Sequence, residues 1–255
     1  MRVSIITVVK NHSSGLRATY QSLAKQSFTD WEMKIVVGDS KDDTRSVAKE
    51  IGTNNPRIQV IEQKSSGIYA AMNLGLAAAA GDFIWFMNAG DRFTTSNVLG
   101  HAINELSICN ASMVIGGYQI DQTQNPRIYS YSDRNVTTLD FAFTRRGGCH
   151  QAMIFRTRLL KDIGGFDVAY SLAGDFDLVL KVIKVAKAKR VSEVYASIEP
   201  GGRADQGIFE VHRQKHQIRR ESLGGPTIFI ASLLWTTLAR LKILSRRIYT
   251  NGFSK

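Results

Sequence analysis

The sequence has little cysteine and little proline, and both shortages narrow the class of protein. Its two cysteines, Cys109 and Cys149, are far apart and form no C-x-x-C pair. Neither a zinc site nor a disulfide framework is therefore predicted, and a reducing compartment fits best. Four prolines and a hydrophobic content of 44% indicate a globular chain without long disordered tracts. A chain of 255 residues is long enough for one large α/β domain with a proper core, or for a domain plus a small appendage.

Long apolar runs are also missing. The N-terminal run, residues 3–9, is too short for a signal peptide and has no small-residue cleavage site, so it is predicted to be a first strand. The apolar stretch between Pro226 and Tyr249 is interrupted before it reaches the ~20 residues that span a bilayer. No internal repeat and no low-complexity segment is present.

The net charge of +11 is concentrated at the C-terminus, where residues 201–255 carry ten Lys/Arg and three Asp/Glu. Both nucleic acid and anionic lipid attract such a segment. Aromatic residues interleaved with the basic ones, or a known motif, are lacking, so no nucleic acid is expected. An interfacial helix fits better, with Trp235 near the headgroups and the basic residues after Arg240 on anionic lipid. The alternative is a helix docked on the protein's own core or on a second subunit in a homodimer.

The first half of the chain alternates between strand and helix patterns. Strands are predicted at 3–9, 31–37, 57–62 and 83–87, and helices at 13–26 (capped by Ser13 or Ser14), 42–51 and 66–80. This alternation is typical of βαβ units in a mainly parallel sheet. The second half is less regular, with predicted strands at 111–120, 127–131, 151–156 and 190–198. Helices are predicted there at 96–106, 157–163 and 175–186 and from about 207 onward, and a polar loop at 132–148.

The segment from Ser65 to Phe93, SSGIYAAMNLGLAAAAGDFIWFMNAGDRF, is the most informative part of the chain. Its wholly apolar strand ends at Asn88-Ala89-Gly90-Asp91. Ligands of open α/β sheets bind just beyond the carboxyl ends of such strands. A carboxylate there, beside a glycine, suits a metal bound to a diphosphate. A polar turn after a buried strand is the alternative.

Together these segments resemble the inverting glycosyltransferases of family 2. The resemblance extends over about 200 residues. It rests on VSIITVVKN, VVGDSKDDT, GCHQAMIF, GGFDVAYSLAGDFDLVLKV and the part of the segment above from Ser65 to Asp91, here called the central block. It implies the GT-A fold, a Rossmann-like, mainly parallel mixed α/β sheet flanked by helices. It also implies a transferase domain at 1–200 (nucleotide-sugar half 1–92, acceptor half 93–200) and amphipathic helices at 201–255. The central block is most similar to transferases of exopolysaccharide and colanic-acid clusters.

The resemblance implies a site for a nucleoside-diphosphate sugar. The expected nucleoside contacts are Thr7, Val9 and Asn11 after the first strand and Asp39 and Asp42 after the second. Here the sequence departs from the family, which commonly has Asp at the positions of Val37 or Gly38; Asp42 can equally be a helix N-terminal acid. Tyr69 and Asn73 lie on the helix that faces the nucleotide in the family, beside Met72, where many relatives have Arg.

The metal motif departs from the family too. The family commonly has Asp where this chain has Asn88 and Gly90, which leaves Asp91 as the carboxylate for Mg²⁺ or Mn²⁺ and Asn88 as a candidate contact to the nucleotide sugar. The subgroup shares this form, and Mg²⁺ typically needs few protein ligands beside substrate phosphates. We therefore expect weak metal affinity in the absence of nucleotide.

The resemblance places the catalytic base at Asp175, at the start of a helix whose dipole favours a negative charge. A carboxylate that only caps this helix is the alternative. His150 is expected beside the acceptor or the diphosphate. Arg145, Arg146 and Arg203 are candidate phosphate contacts.

The sequence thus predicts a metal-assisted transferase acting on a saccharide or lipid-linked acceptor, peripheral on the cytoplasmic face of the cell membrane. Two other hypotheses stay open, a non-catalytic membrane-associated partner of a polysaccharide-assembly complex and a basic nucleic-acid binder. A pyrophosphorylase would be expected to begin with a glycine-rich phosphate loop, which VSIITVVKN lacks.

Overall fold

The computed structural model describes residues 1–53, 55–121, 126–143, 148–201, 207–226, 228, 230–238 and 241. The strands are β1 Val3–Val9, β2 Trp31–Val37, β3 Ile58–Glu62, β4 Phe83–Phe86, β5 Arg92–Phe93, β6 Met113–Ile120, β7 Arg127–Tyr129, β8 Arg134–Asn135, β9 Met153–Arg156 and β10 Ala188–Ile198. The helices are α1 Ser13–Ala24, α2 Thr44–Thr53, α3 Ile68–Ala78, α4 Val98–Ile108, α5 Thr138–Ala142, α6 Thr157–Asp162, α7 Gly174–Val185 and α8 Ile208–Leu223.

The first half of the chain forms parallel βαβ units, as predicted. β3, β2, β1 and β4 lie side by side in that order and are all parallel. Every residue of β1, β2 and β4 is buried. Such burial on both faces explains why these strands are nearly continuous apolar runs. Because the strands are parallel, the loops after β1, β2 and β4 meet at one edge of the sheet.

The second half continues the same sheet with mixed directions. β9 lies between β4 and β6 and is antiparallel to both, whereas β10 is parallel to β6. The full order is β3-β2-β1-β4-β9-β6-β10-β5, with β7 paired to β6 and β8 to β10. The predicted mixed, mainly parallel sheet flanked by helices is confirmed.

A hydrophobic core lies on each face of the sheet. One contains residues of α1, α2 and α4, and the other residues of α3, α6, α7 and α8. Gly75 allows α3 to approach β1, because a Cβ there would overlap Ile6. Residues of β4 pack into both cores, Phe83 and Trp85 into one and Ile84 and Phe86 into the other, which positions the turn that follows this strand.

Two local predictions are wrong. Ser13 and Ser14 do not cap α1, since His12 occupies the N-cap position and makes no side-chain capping bond. The segment 132–148 is not simply a loop, because it contains β8 and α5. A capping box begins α5, in which the Thr137 side chain and Asp140 each accept a hydrogen bond from the other's backbone N–H.

The first helix of the predicted C-terminal extension packs against the rest of the protein. Gln214 Oε1 accepts hydrogen bonds from the backbone N–H groups of Leu172 and Ala173. Arg219 donates to the carbonyl of Ala142. The domain boundary at residue 200 stays a prediction. In the part of the chain that the structure describes, no helix is both long and apolar enough to cross a membrane.

Candidate active site

Four of the predicted site residues form one hydrogen-bonded row. At its centre, His150 Nδ1 lies 3.3 Å from Asp175 Oδ2, and its Nε2 lies 3.4 Å from Asn88 Nδ2. Tyr69 donates from its hydroxyl to Asp175 Oδ1 at 3.4 Å. With a proton on Nδ1, His150 donates to Asp175, while its Nε2 faces the side-chain amide of Asn88. The row connects four elements: Tyr69 comes from α3, Asp175 from α7, His150 from the 3-10 turn His150–Ala152, and Asn88 from the loop after β4.

The surroundings of Asp175, the predicted base, favour its ionised form. It lies in the first turn of α7, where the helix dipole favours a negative charge. Burial acts to raise its pKa, but the hydrogen bond and charge of His150 and the charge of Lys215 together bring the pKa below its ordinary value. Burial and the Asp175 carboxylate raise the pKa of Tyr69, so its hydroxyl stays protonated and donates. Because the Asp175 side chain is 30% exposed, a hydroxyl group can reach it.

Asp91, the predicted metal ligand, is buried directly after β4. Its Oδ1 accepts a hydrogen bond from the Glu199 backbone N–H at 3.0 Å, and its Oδ2 accepts one from Gln151 Nε2 at 2.8 Å. Burial raises the pKa of Asp91 to about 6, although both hydrogen bonds act in the opposite direction. Each carboxylate oxygen has a second lone pair for a cation. The metal role of Asp91 stays a prediction.

Of the predicted nucleoside contacts, Asn11, Asp39 and Asp42 lie in the neighbouring loops after β1 and β2, and hydrogen bonds of Asn11 join the two loops. Asn11 Oδ1 accepts from the Lys41 backbone N–H at 2.7 Å, and the Asn11 N–H donates to Ser40 Oγ. Asp42 Oδ1 accepts from the Thr44 N–H at the start of α2, so it acts at least as a helix N-terminal acid. Thr7 and Val9 are buried in β1, whereas Asp39 is exposed.

Asn73 lies apart from the row. Its side-chain amide donates to the carbonyl of Phe166 at 2.8 Å and accepts from the Phe166 N–H at 2.9 Å. The structure therefore gives this residue a second role, that of holding the loop before α7. The candidate phosphate contacts Arg145, Arg146 and Arg203 lie outside the described residues.

Sequence reasoning missed several residues around the row. Lys215 of α8 lines a small cavity of about 20 Å³ together with His150, Asp175, Phe141, Gly148, Met153, Phe176 and Val179. Burial lowers the pKa of Lys215, and the Asp175 charge opposes this effect. The second missed group is a pair at the loop after β4, in which His12 Nε2 lies 2.6 Å from Glu199 Oε2. No motif marks Lys215 or Glu199, since the fold alone brings them to the site.

The mixed α/β sheet flanked by helices, with this row beside the loop after β4, has the GT-A fold. The model of the family described as glycosyl transferase family 2 matches residues 4–164. The chain belongs to this family and is a glycosyltransferase.

Two curated relatives match more than two thirds of this chain. An uncharacterized glycosyltransferase of Mycobacterium tuberculosis is 28% identical over 243 residues, which is 91% of this chain and 89% of the relative. A PGL/p-HBAD biosynthesis glycosyltransferase of the same organism is 28% identical over 179 residues, or 70% of this chain and 68% of the relative.

Solved structures share the fold. TarS of S. aureus (residues 1–349) in complex with UDP-GlcNAc is similar at a TM-score of 0.72 and 20% identity, covering 91% of this chain and 72% of that one. A mannosyltransferase of Pyrobaculum calidifontis in complex with GDP-Man and Mn²⁺ has a TM-score of 0.70 and 16% identity, covering 99% and 75%.

Proposed function

We propose that this glycosyltransferase inverts the anomeric configuration of a sugar. It moves the sugar from a nucleoside diphosphate to a hydroxyl of a saccharide, in the synthesis of cell-surface polysaccharide of the exopolysaccharide type. The acceptor is lipid-linked. The observation that carries the proposal is the position of Asp175 in the row, between Tyr69 and His150, through which it is connected to Asn88 in the loop after β4.

In this mechanism Asp175 takes the proton of the acceptor hydroxyl while that oxygen attacks the anomeric carbon. Inversion requires a base on the face opposite the leaving diphosphate. The contacts of Asp175 with Tyr69 and His150 support this role, because they orient the carboxylate and keep it ionised. Lys215 lines the same cavity and offers a cation to a phosphate of either substrate.

The donor is expected to bind at the loops after β1, β2 and β4. Asn11, Asp39 and Asp42 surround the nucleoside end, and Asn88 and Asp91 lie at the diphosphate end. Mg²⁺ or Mn²⁺, when bound there, would neutralise charge on the departing diphosphate. The UDP-GlcNAc and GDP-Man complexes of the similar structures support a nucleotide-sugar donor, and the Mn²⁺ in one of them supports a divalent metal.

A nucleotide panel tests donor binding. The protein is heated with UDP, GDP, dTDP or CMP, each with and without Mn²⁺. A ligand at about 100 times its Kd adds about 2.7 kcal/mol of stability, which is roughly 5–10 °C in a chain of this length. We expect nucleotides with one particular nucleobase to raise the unfolding temperature, and to do so only with Mn²⁺. Folded protein that no nucleotide stabilises would contradict the proposal and favour the non-catalytic partner.

The role of Asp175 as the catalytic base is tested with Asp175→Asn. General-base catalysis contributes about 10²- to 10⁴-fold, so transfer should fall by that factor while the Kd for nucleotide changes little. Asp177→Asn is the matched control, since it makes the same change two residues further on the same helix. Asp177 pairs with Lys181 at 2.7 Å rather than with the row. Equal loss of binding and transfer in Asp175→Asn would refute the role.

We further propose that the C-terminal segment binds the anionic cytoplasmic surface of the membrane. The described residues among 226–241 are helical; they bury Ser232 and Thr236 and expose apolar side chains, namely Ile230, Leu233, Leu234, Leu238 and Leu241. Together with the basic residues of the segment, this exposed apolar face supports an interfacial helix. Vesicle flotation tests it, because binding should require anionic lipid and weaken in Leu234→Asp. A concentration-dependent dimer without vesicle binding would support the docked alternative.

A further inference from the structure

Gly90 stands where the family pattern predicts a carboxylate, and a different carboxylate fills its space. Gly90 has φ +100°, and a Cβ built on it would overlap the carboxylate of Glu199. Glu199 follows β10, more than 100 residues further along the chain. The acidic group missing from the loop after β4 is therefore replaced in space by one from another strand.

The position of Glu199 depends on two glycines and on Asp91. His12, which contacts Glu199 Oε2 at 2.6 Å, lies where a Cβ of Gly15 would be. Without side chains at positions 15 and 90, the His12–Glu199 pair fits between α1 and the loop after β4. The Asp91 carboxylate fixes the Glu199 backbone through the 3.0 Å hydrogen bond from its N–H.

The surroundings offer oxygen atoms to a cation. In the described part of the chain, Asn88 Oδ1 is a fully buried acceptor that lacks a hydrogen-bond partner, and it lies two residues before Gly90 in the same turn. The Glu199 side chain is 50% exposed and that of His12 is 35% exposed, so an incoming ligand can reach the pair. Carboxylate and amide oxygens suit Mg²⁺ and Mn²⁺. A histidine–carboxylate contact as exposed as this one stabilises a fold little, so stability alone does not explain the arrangement.

We propose that Glu199 is the second carboxylate of the metal–diphosphate site, in the place that Gly90 leaves open. His12 holds the carboxylate in position in the absence of a cation. The inference rests on the proposed function, because it assumes a nucleoside diphosphate at the loop after β4. It names a ligand that the N-A-G-D sequence by itself lacks.

Metal affinity tests the inference without any assay of transfer. Free Mn²⁺ is titrated by electron paramagnetic resonance into protein saturated with the nucleotide that the thermal panel identifies. Glu199→Gln should lower the affinity for Mn²⁺ at least tenfold and leave the unfolding temperature of the ligand-free protein unchanged. The matched control is Glu193→Gln, which removes an exposed carboxylate of β10, the strand that precedes Glu199, and should bind Mn²⁺ like the unmodified protein. Unchanged Mn²⁺ affinity in Glu199→Gln would overturn the inference.

A change of donor atom separates direct ligation from a distant charge effect. Glu199→Cys replaces oxygen by sulfur, and thiolates favour soft metals. We expect the preference for Cd²⁺ over Mn²⁺ to rise at least tenfold relative to the unmodified protein, which supplies the baseline for Cys109 and Cys149. An unchanged preference would exclude direct contact. If the unmodified protein binds no nucleotide with Mn²⁺, the proposed function fails as well. If it binds nucleotide with Mn²⁺ and substitution of Glu199 leaves the Mn²⁺ affinity unchanged, only this inference fails.

Discussion

Replacing Asn73 by alanine should destabilise the protein far more than an ordinary surface substitution. The Asn73 amide makes two reciprocal hydrogen bonds with the backbone of Phe166, at 2.8 and 2.9 Å. The Phe166 ring in turn stacks on Tyr69 at 5.2 Å and contacts Phe86 at 4.9 Å between centroids. Asn73 therefore fixes a loop that supports the side chain bonded to Asp175.

The expected loss of stability follows from the two hydrogen bonds that Asn73→Ala removes. Each contributes about 1 kcal/mol, and each backbone group left without a partner adds to the cost. The sum is about 2–4 kcal/mol, which lowers the unfolding temperature of a chain of this length by roughly 5–15 °C. Asn73→Asp should have a similar cost, because a carboxylate accepts from the Phe166 N–H but cannot donate to its carbonyl.

Thermal unfolding with and without nucleotide measures both possible roles of Asn73. Asn104→Ala, the same change at an exposed position of α4, is the control and should stay within about 0.5 kcal/mol. A residue that only holds the loop lowers the unfolding temperature but leaves the nucleotide-induced increase intact. A residue that also contacts the donor reduces that increase. An unfolding temperature equal to that of the control would refute the reasoning.

The parallel half of the sheet could be predicted because its signals are local. β1 and β4 are mostly apolar runs, β2 and β3 are rich in β-branched residues, and the helices after β1, β2 and β3 begin within seven residues of the strand's end. The Trp31–Val37 strand was predicted to the residue. Burial on both faces leaves such a strand no alternative to an apolar sequence.

The second half could not be predicted to the same degree, because its order is set by tertiary contacts. Nothing in MIFR, the sequence of β9, indicates that this strand enters between β4 and β6 in the opposite direction. The α5 helix was missed although Thr137 and Asp140 have the spacing of a capping box. Five residues are too few for a helical period to be visible.

The same distinction applies to the site. Tyr69, Asn88, His150 and Asp175 lie in motifs, and the structure brings them into one row. Glu199 has no motif of its own. The signal that could have found it is the glycine at position 90, since a binding motif without its carboxylate raises the question of which other residue supplies the charge.

The remaining predictions concern packing and pH. Gly75→Ala should cost about 1–3 kcal/mol in thermal unfolding, because its methyl group overlaps Ile6 between α3 and β1; unchanged stability would contradict this packing. The second prediction follows from the lowered pKa of Asp175. A base is active when ionised, so kcat/KM for transfer should fall only as pH drops below the ordinary aspartate pKa of about 3.9. His150→Gln should move this acid limb to higher pH, because burial still raises the pKa of Asp175 while the charge of the imidazole is gone. If the acid limb of the kcat/KM profile lies near neutral pH and His150→Gln does not shift it, a group other than Asp175 takes the proton.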